Sequence, residues 1–330
     1  MQVPEWVRGP IAPVFTVFDS QGGLDEAGQR QFFDFLLAQG GISAYFVRSG
    51  MGLMYTFTAE ETRQMARIAC GHLRGRAPVL VGASGIWTRD FTNLPDPETY
   101  IREGIDLGRY ALEQGAAGVV YTVPECLVPA DAGAQAIADM QRSYFERVCA
   151  AVPGPVLIYQ PPVTRPEFCL APETLARLAE IDNLVAGKFS TENGAYVFEL
   201  IRAVEGKTFG FIVGCETVFY IGLWLGAKAC IGQGTILNPG LFTAMLQAAE
   251  SGAWNRALEI QAAVNRLVRG CSNPVDFLKR YAREKGYNVP DFDRTSATHP
   301  YLTDRAPLSD DAYAAFKALY ERELAQFTTC

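Results

Sequence analysis

Short apolar runs recur along the chain, and each is followed by a longer stretch that favours a helix. The runs are continuous rather than alternating between apolar and polar residues, which is typical of parallel strands buried on both faces. Eight runs predict strands at Ile11–Phe15, Ala44–Val47, Pro78–Ala83, Gly118–Thr122, Pro155–Tyr159, Leu184–Lys188, Phe209–Val213 and Ala229–Ile231.

Helix signals lie between these runs. Asp25 can cap a helix that Gly40 ends, and Thr58 with Glu61 forms a capping box. Pro172 stands at a favoured first-turn position. Strand and helix repeated eight times predict an α/β fold, the (β/α)₈ TIM barrel, because right-handed crossovers place the helices outside. An open doubly wound sheet is the alternative.

The chain continues well beyond the eighth strand. We predict that residues 1–235 form the barrel with the active site and that residues 236–330 form a helical C-terminal extension packed on it. The loop Asn288–Leu308 separates the last two helices. The predicted helices are Leu241–Glu250, Ala253–Arg269, Val275–Glu284 and Asp310–Glu323.

One insertion, residues 87–100, follows the third strand. Loops that follow barrel strands lie on the catalytic face. The insertion therefore either shapes the mouth of the active site or contacts another subunit.

Composition excludes several classes of protein. The 330 residues are 49% hydrophobic and 20% charged, with a net charge of −7, which argues against disorder and nucleic-acid binding. No apolar leader follows the first residues, and no run reaches the ~18 apolar residues of a membrane helix. The eight cysteines contain no C-x-x-C pair and fit free buried thiols. We expect a cytoplasmic protein without a membrane partner.

Lys188 is the outstanding candidate for chemistry. The chain has only six lysines, and this one ends the apolar run of the sixth strand, whereas the other five fit solvated positions. Desolvation there would leave a nucleophilic amine, which can form an iminium with a ketone. A lysine paired with a buried carboxylate is the alternative, and position alone leaves both open. Lys228 precedes its strand and would lie on the opposite, stability face.

Two further features surround that lysine in the predicted barrel. Tyr159 ends the preceding strand and could move protons, although a hydrogen-bonded core tyrosine fits equally well. The segment after the second strand contains Ser49, Gly50 and Met51, whose backbone amides could bind a carboxylate. His72 and His299 lack further ligands at metal spacing, and there is no phosphate-binding glycine motif. We therefore expect no metal and no cofactor besides a covalent imine.

These residues, in this order, resemble the dihydrodipicolinate synthase / N-acetylneuraminate lyase superfamily over residues 9–325. The resemblance implies that Lys188 forms a Schiff base, that Tyr159 relays protons and that Ile231 faces the bound keto acid. It also implies a homo-oligomer, a dimer or tetramer. The matching segments are GPIAPVFTVFDSQGGLD, FTAEE, GRAPVLVGAS, VLIYQPP, NLVAGKFSTENG and FIVGCETVFYIGLWLGAKACIGQGTILNP.

Departures from the superfamily pattern concern the rest of the proton relay. Gly50 and Met51 replace a pair of hydroxyl residues, and Leu53 replaces an acidic residue. Cys126, next to Glu125, stands where the synthases carry a relay tyrosine. The substrate-binding arginine of the synthases falls one position before Arg165, at Thr164.

The function predicted from the sequence is a Schiff-base-forming lyase or aldolase acting on pyruvate or another 2-oxo acid. Aldol cleavage, condensation and dehydration all fit, whereas dihydrodipicolinate synthesis itself does not fit the altered relay. Met51, Leu53 and Met54 would give an apolar lining and a substrate less polar than a sialic acid. Cys126 and Arg165 remain candidate substrate contacts. The alternative is a catalytically weakened paralogue that binds a keto acid as a sensor or structural protein.

Overall fold

The barrel is closed. The structure, a computed structural model, describes residues 1–129, 131–294, 296, 298–300 and 306–328. Eight parallel strands follow one another in chain order, and β8 pairs with β1 through Gly9 and Ala229. This confirms the (β/α)₈ barrel and excludes the open sheet. The strands are β1 Gly9–Pro13, β2 Ala44–Val47, β3 Val79–Gly82, β4 Gly118–Thr122, β5 Val156–Gln160, β6 Leu184–Phe189, β7 Gly210–Val213 and β8 Ala229–Cys230.

The predicted helix caps are confirmed. The Asp25 carboxylate accepts the Gly28 amide at 2.9 Å, and Thr58 and Glu61 cap each other's backbone amides. Short 3₁₀ turns lie at Met54–Thr56, Pro166–Phe168 and Glu216–Val218. The α-helices are α1 Glu26–Gln39, α2 Ala59–Leu73, α3 Pro97–Glu113, α4 Ala134–Ala151, α5 Pro172–Leu178, α6 Gly194–Ala203, α7 Phe219–Trp224, α8 Gln233–Leu237, α9 Pro239–Glu250, α10 Trp254–Gly270, α11 Pro274–Glu284 and α12 Asp310–Thr328.

The four helices predicted after the barrel correspond to α9, α10, α11 and α12. The predicted boundary between residues 235 and 236 falls inside α8, and the division into barrel and extension stays a prediction. One lysine of the extension differs from expectation. Lys279 on α11 is fully buried, and its ammonium donates to Asp293 at 2.9 Å. The prediction of a solvated lysine is wrong here. Its partner lies on the loop after α11, so the pattern of residues along the helix does not reveal the pairing.

The insertion after β3 lies on the catalytic face, which fits both interpretations, and none of its residues lines the cavity described below. Arg89 donates to the Glu125 carboxylate after β4, at 3.2 Å, and to the Val163 carbonyl after β5. Residues 97–100 belong to the first turn of α3 rather than to the loop. The insertion therefore fastens three neighbouring loops together at the barrel mouth.

The described cysteines form no disulfide. Five of them are buried as predicted, but Cys169 and Cys215 are only half-buried because they lie on loops after β5 and β7. Cys330 lies outside the described residues. Within the described part of the chain, none of the helices combines the length and apolar character needed to cross a membrane.

Candidate active site

A cavity of about 440 Å³ opens at the carboxyl end of the barrel strands. This is the face on which barrel enzymes carry their active sites. Most of the lining comes from the loops after β6, β7 and β8, and α10 adds one residue. The lining residues are Pro13, Met51, Tyr159, Pro162, Lys188, Ser190, Thr191, Glu192, Gly214, Cys215, Glu216, Thr217, Gly232, Gln233 and Val268.

Lys188 and Tyr159 meet at the bottom of this cavity. They are register partners on the adjacent strands β6 and β5. Both side chains therefore leave the sheet at the same level, and the Lys188 Nζ lies 4.2 Å from the centre of the Tyr159 ring. Lys188 is 5% exposed and Tyr159 1% exposed. The pairing that the sequence predicted from strand ends is thus present in the structure.

Burial lowers the pKa of the Lys188 ammonium to about 8, while the negative charge of Glu216 opposes this shift. No carboxylate oxygen of the described residues lies within 4.0 Å of Nζ, the limit for an ion pair. The alternative of a close buried ion pair therefore does not describe Lys188. Lys228, in contrast, is exposed and precedes β8.

Glu216 is the charged residue that acts most strongly on the pKa of Lys188. Sequence analysis did not single it out. It follows β7 in a 3₁₀ turn, and its carboxylate accepts the Gly234 amide at 3.0 Å. Gly232 leaves room for this carboxylate, since a Cβ there would overlap Oε2. Burial raises the pKa of Glu216, and hydrogen bonds from backbone amides together with Lys188 oppose the rise.

Three residues of the loop after β2 were predicted to bind the substrate, and only one of them, Met51, lines the cavity. Ser49 is fully buried, and its hydroxyl accepts the Gly52 amide at 3.0 Å, so that it caps its own loop. Gly50 is buried as well. The predicted apolar lining is wrong for Leu53 and Met54, which pack into the core and do not face the cavity.

The loops after β6 to β8 supply polar groups that the sequence analysis missed. Ser190 lies two residues beyond Lys188 on the same strand face, is 6% exposed, and its hydroxyl has no hydrogen-bond partner among the described residues. Polar residues directly after barrel strands are a usable signal for such positions. No sequence feature indicated Val268 as a lining residue, because the packing of α10 against the barrel places it at the mouth. The missed lining residues are Pro13, Pro162, Ser190, Thr191, Glu192, Gly214, Cys215, Glu216, Thr217, Gly232, Gln233 and Val268.

A model of the dihydrodipicolinate synthetase family matches residues 7–294. The chain belongs to this family. The resemblance expected from the strand-end lysine and the flanking motifs is thereby confirmed over nearly the whole barrel.

Two relatives show the range of this family. The chain is 30% identical to the putative 2-dehydro-3-deoxy-D-gluconate aldolase YagE of Escherichia coli over 74% of each chain. It is 27% identical to the 4-hydroxy-tetrahydrodipicolinate synthase of Salinibacter ruber, over 96% of this chain and 98% of that one. The crystal structure of YagE in complex with pyruvate matches at a TM-score of 0.73 and 25% identity, over 98% of this chain and 99% of YagE.

Two candidate substrate contacts that came from the family comparison, one matching and one departing from its pattern, lie outside the cavity lining. Ile231 is 1% exposed and packs in the apolar cluster that also contains Tyr159. Cys126 is 2% exposed, and burial raises the pKa of its thiol to about 12, so it stays protonated near neutral pH. Their roles toward a substrate stay predictions.

Arg165 is engaged in a separate cluster on the β3–β5 side of the mouth. Its guanidinium lies over the rings of Phe91 and Phe168, at 4.3 and 4.5 Å, and donates to the Glu125 carbonyl. The Glu125 carboxylate accepts the Arg165 amide at 2.9 Å and Arg89 at 3.2 Å. The structure therefore places neither Arg165 nor Glu125 in the cavity.

Metal binding has no candidate in the described ranges, where no three His, Cys, Asp or Glu side chains are grouped as a metal site requires. His72 instead contacts Asp34 at 3.0 Å. The expectation that the reaction uses no metal stays a prediction.

Proposed function

We propose that this family member is a class I lyase in which Lys188 forms a Schiff base with pyruvate or another 2-oxo acid. The supporting observation is the buried amine of Lys188, whose pKa is lowered to about 8, at the bottom of the cavity beside Tyr159. A lysine with the ordinary pKa would be almost fully protonated near neutral pH and therefore not nucleophilic.

The chemistry follows from these two side chains. The free amine attacks the C2 carbonyl, and the carbinolamine loses water as Tyr159 passes protons to and from it. The protonated imine accepts an electron pair as an enamine across C2 and C3, either when the C4 hydroxyl loses its proton and the C3–C4 bond breaks to release an aldehyde, or when C3 loses a proton to Tyr159. The enamine then adds to an aldehyde carbon in condensation, or expels the C4 hydroxyl, which takes up a proton and leaves as water, in dehydration. Hydrolysis of the imine restores Lys188. Aldol cleavage, condensation and dehydration share these steps.

The family relatives support a 2-oxo acid as substrate. YagE carries an aldolase name and was crystallised with pyruvate, and the Salinibacter protein carries a synthase name. Gly50, Met51 and Cys126 replace the usual relay positions, and we therefore do not propose dihydrodipicolinate synthesis. The proposal includes a cytoplasmic homo-oligomer, a dimer or tetramer, and no cofactor besides the covalent imine.

Borohydride trapping tests the proposal. Incubation with pyruvate and borohydride should leave a reduced adduct that peptide mapping places on Lys188. A Lys188→Met variant should give no adduct and no turnover, because no other described lysine lines the cavity. Lys228→Met is the matched control, since it removes an exposed lysine before β8 and should trap pyruvate normally.

The outcomes separate the enzyme from the binding-only alternative. Absence of an adduct on Lys188 would refute the proposal. An adduct with no turnover of any 2-oxo acid or aldehyde pair would favour the weakened paralogue, which binds a keto acid without processing it.

A further inference from the structure

The cavity wall formed by the loops after β6, β7 and β8 carries negative charge and hydrogen-bonding groups. Among the described lining residues, the ionisable side chains besides Lys188 and Tyr159 are Glu192, Cys215 and Glu216, and no arginine lines the cavity. Once Lys188 carries the substrate as an imine, no other cation of the lining remains to accept a second negative group. The distal part of a substrate therefore meets carboxylates rather than arginines or lysines.

Glu192 holds the outer part of this wall. It is exposed on the loop after β6, whereas Glu216 is buried deeper after β7. The Thr217 hydroxyl donates to Glu192 Oε1 at 3.0 Å, and the Cys215 thiol donates to the same oxygen at 3.5 Å. Oε1 is thus tied to the neighbouring loop. Oε2 has no hydrogen-bond partner among the described residues and can accept one from a ligand.

We propose that Glu192 is a specificity-determining residue that selects 2-oxo acids with a neutral, hydroxyl-bearing tail and rejects those whose tail carries a second anion. This inference rests on the proposed function, because it presumes that a 2-oxo acid is held at Lys188. Glu192 Oε2 can accept a hydroxyl of such a tail. A tail carboxylate would instead face a like charge and find no cation of the described lining.

Two lining residues agree with a hydroxylated tail. The buried Ser190 hydroxyl has no partner among the described residues, and buried polar groups of this kind are normally satisfied by a ligand or water. Gln233, at the start of α8, adds an amide to the same wall. Hydroxyls donate and accept, so a hydroxylated tail can pair with these two groups and also donate to Glu192 Oε2, whereas an ionised carboxylate cannot donate to Oε2.

A matched pair of substrates tests the inference through imine formation alone. 5-Hydroxy-2-oxopentanoate and 2-oxoglutarate have the same chain length and differ in a neutral hydroxyl against a carboxylate. Borohydride trapping rates of both are measured at low salt for the full chain and for Glu192→Gln and Glu192→Lys. Glu199→Gln is the control, because it removes the same charge from an exposed position on α6 outside the cavity.

We expect wild type to trap the hydroxylated acid about tenfold faster, since two like charges at contact distance in water disfavour each other by roughly fivefold or more. Glu192→Gln should reduce this preference to about twofold, and Glu192→Lys should reverse it, because 2-oxoglutarate gains an opposite charge while the neutral acid loses the acceptor of its hydroxyl. Glu199→Gln should behave as wild type. Thermal melting verifies that each variant is folded.

Pyruvate, which has no tail, separates this inference from the proposed function. If pyruvate is trapped on Lys188 but wild type handles both tailed acids equally, or the Glu192 variants leave the ratio unchanged, the specificity inference is wrong and the proposed function stands. If pyruvate is not trapped, the proposed function fails and this inference fails with it.

Discussion

The two sides of the barrel mouth differ in how their charges are used. On the β3–β5 side, Arg89, Glu125 and Arg165 bind one another, and Phe91 covers the guanidinium of Arg165. On the β6–β8 side, Lys188 lines the cavity. No carboxylate oxygen of the described residues lies within ion-pairing distance of its Nζ. Charged side chains that pair with one another stabilise the loops that carry them, but they are not available to bind a ligand. The function is therefore expected on the β6–β8 side, where Lys188 has no ion-pair partner and the Ser190 hydroxyl no hydrogen-bond partner among the described residues.

The comparison predicts that changes on the cavity side lower activity while changes on the arginine side lower stability. Tyr159→Phe gives the largest effect. It keeps the ring beside Lys188 but removes the hydroxyl, so the rate of pyruvate trapping should fall by about 10²–10⁴-fold, as for loss of a general acid–base group. The measurement is the trapping rate at saturating borohydride.

Tyr121→Phe is the control for that variant. Tyr121 on β4 is also fully buried, but its hydroxyl donates to the Gly104 carbonyl at 2.9 Å and faces away from the cavity lining. Its loss should cost about 1 kcal/mol of stability and leave trapping unchanged. Equal trapping rates for wild type and Tyr159→Phe would remove Tyr159 from the mechanism.

Glu125→Ala tests the other side of the mouth. The Glu125 side chain is 2% exposed and its Arg89 partner 11% exposed, so the change leaves a buried guanidinium without its anion. Breaking such a pair costs about 3–5 kcal/mol, and urea unfolding should shift accordingly. Glu98→Ala, which removes an exposed partner of Arg147, should unfold close to wild type. A Glu125→Ala protein of normal stability but without pyruvate trapping would reverse the assignment of the two sides.

The fold was largely predictable, because buried parallel strands leave a signal in every apolar run. All eight strands were expected, and their ends differ by at most two residues. The expected encounter of Lys188 with Tyr159 followed from the same signal, since both residues end adjacent strands.

The remainder of the site could not be predicted in the same way. The position of Glu216 beside Lys188 depends on a turn after β7 and on the absence of a side chain at Gly232, which no local periodicity encodes. The engagement of Arg165 by Phe91 depends on packing between the loops after β3 and β5, which are far apart in the chain. Side-chain partners between loops are set by tertiary structure, and sequence spacing does not report them.

The lowered pKa of Lys188 predicts how trapping depends on pH. The neutral amine of Lys188 is the nucleophile, so trapping should rise about tenfold per pH unit below the pKa and level off above about 8. At pH ~7.5 roughly a quarter of the lysine is then free amine, against about one part in a thousand at the ordinary pKa. An inflection near the ordinary lysine value, about 10.4, would contradict the desolvated environment.

Glu216→Gln sharpens this prediction, because it tests which charge sets the pKa of Lys188. The negative charge of Glu216 raises that pKa against the effect of burial. Its removal should therefore move the inflection to lower pH and increase trapping at pH values below it. The glutamine can still accept the Gly234 amide, so the turn after β7 keeps its hydrogen bond. Glu192→Gln, at the exposed rim, should leave the inflection in place. If the inflection of Glu216→Gln stayed in place or moved to higher pH, Glu216 would not act on the lysine through its charge. The contrast between the two sides of the mouth would then rest on burial alone.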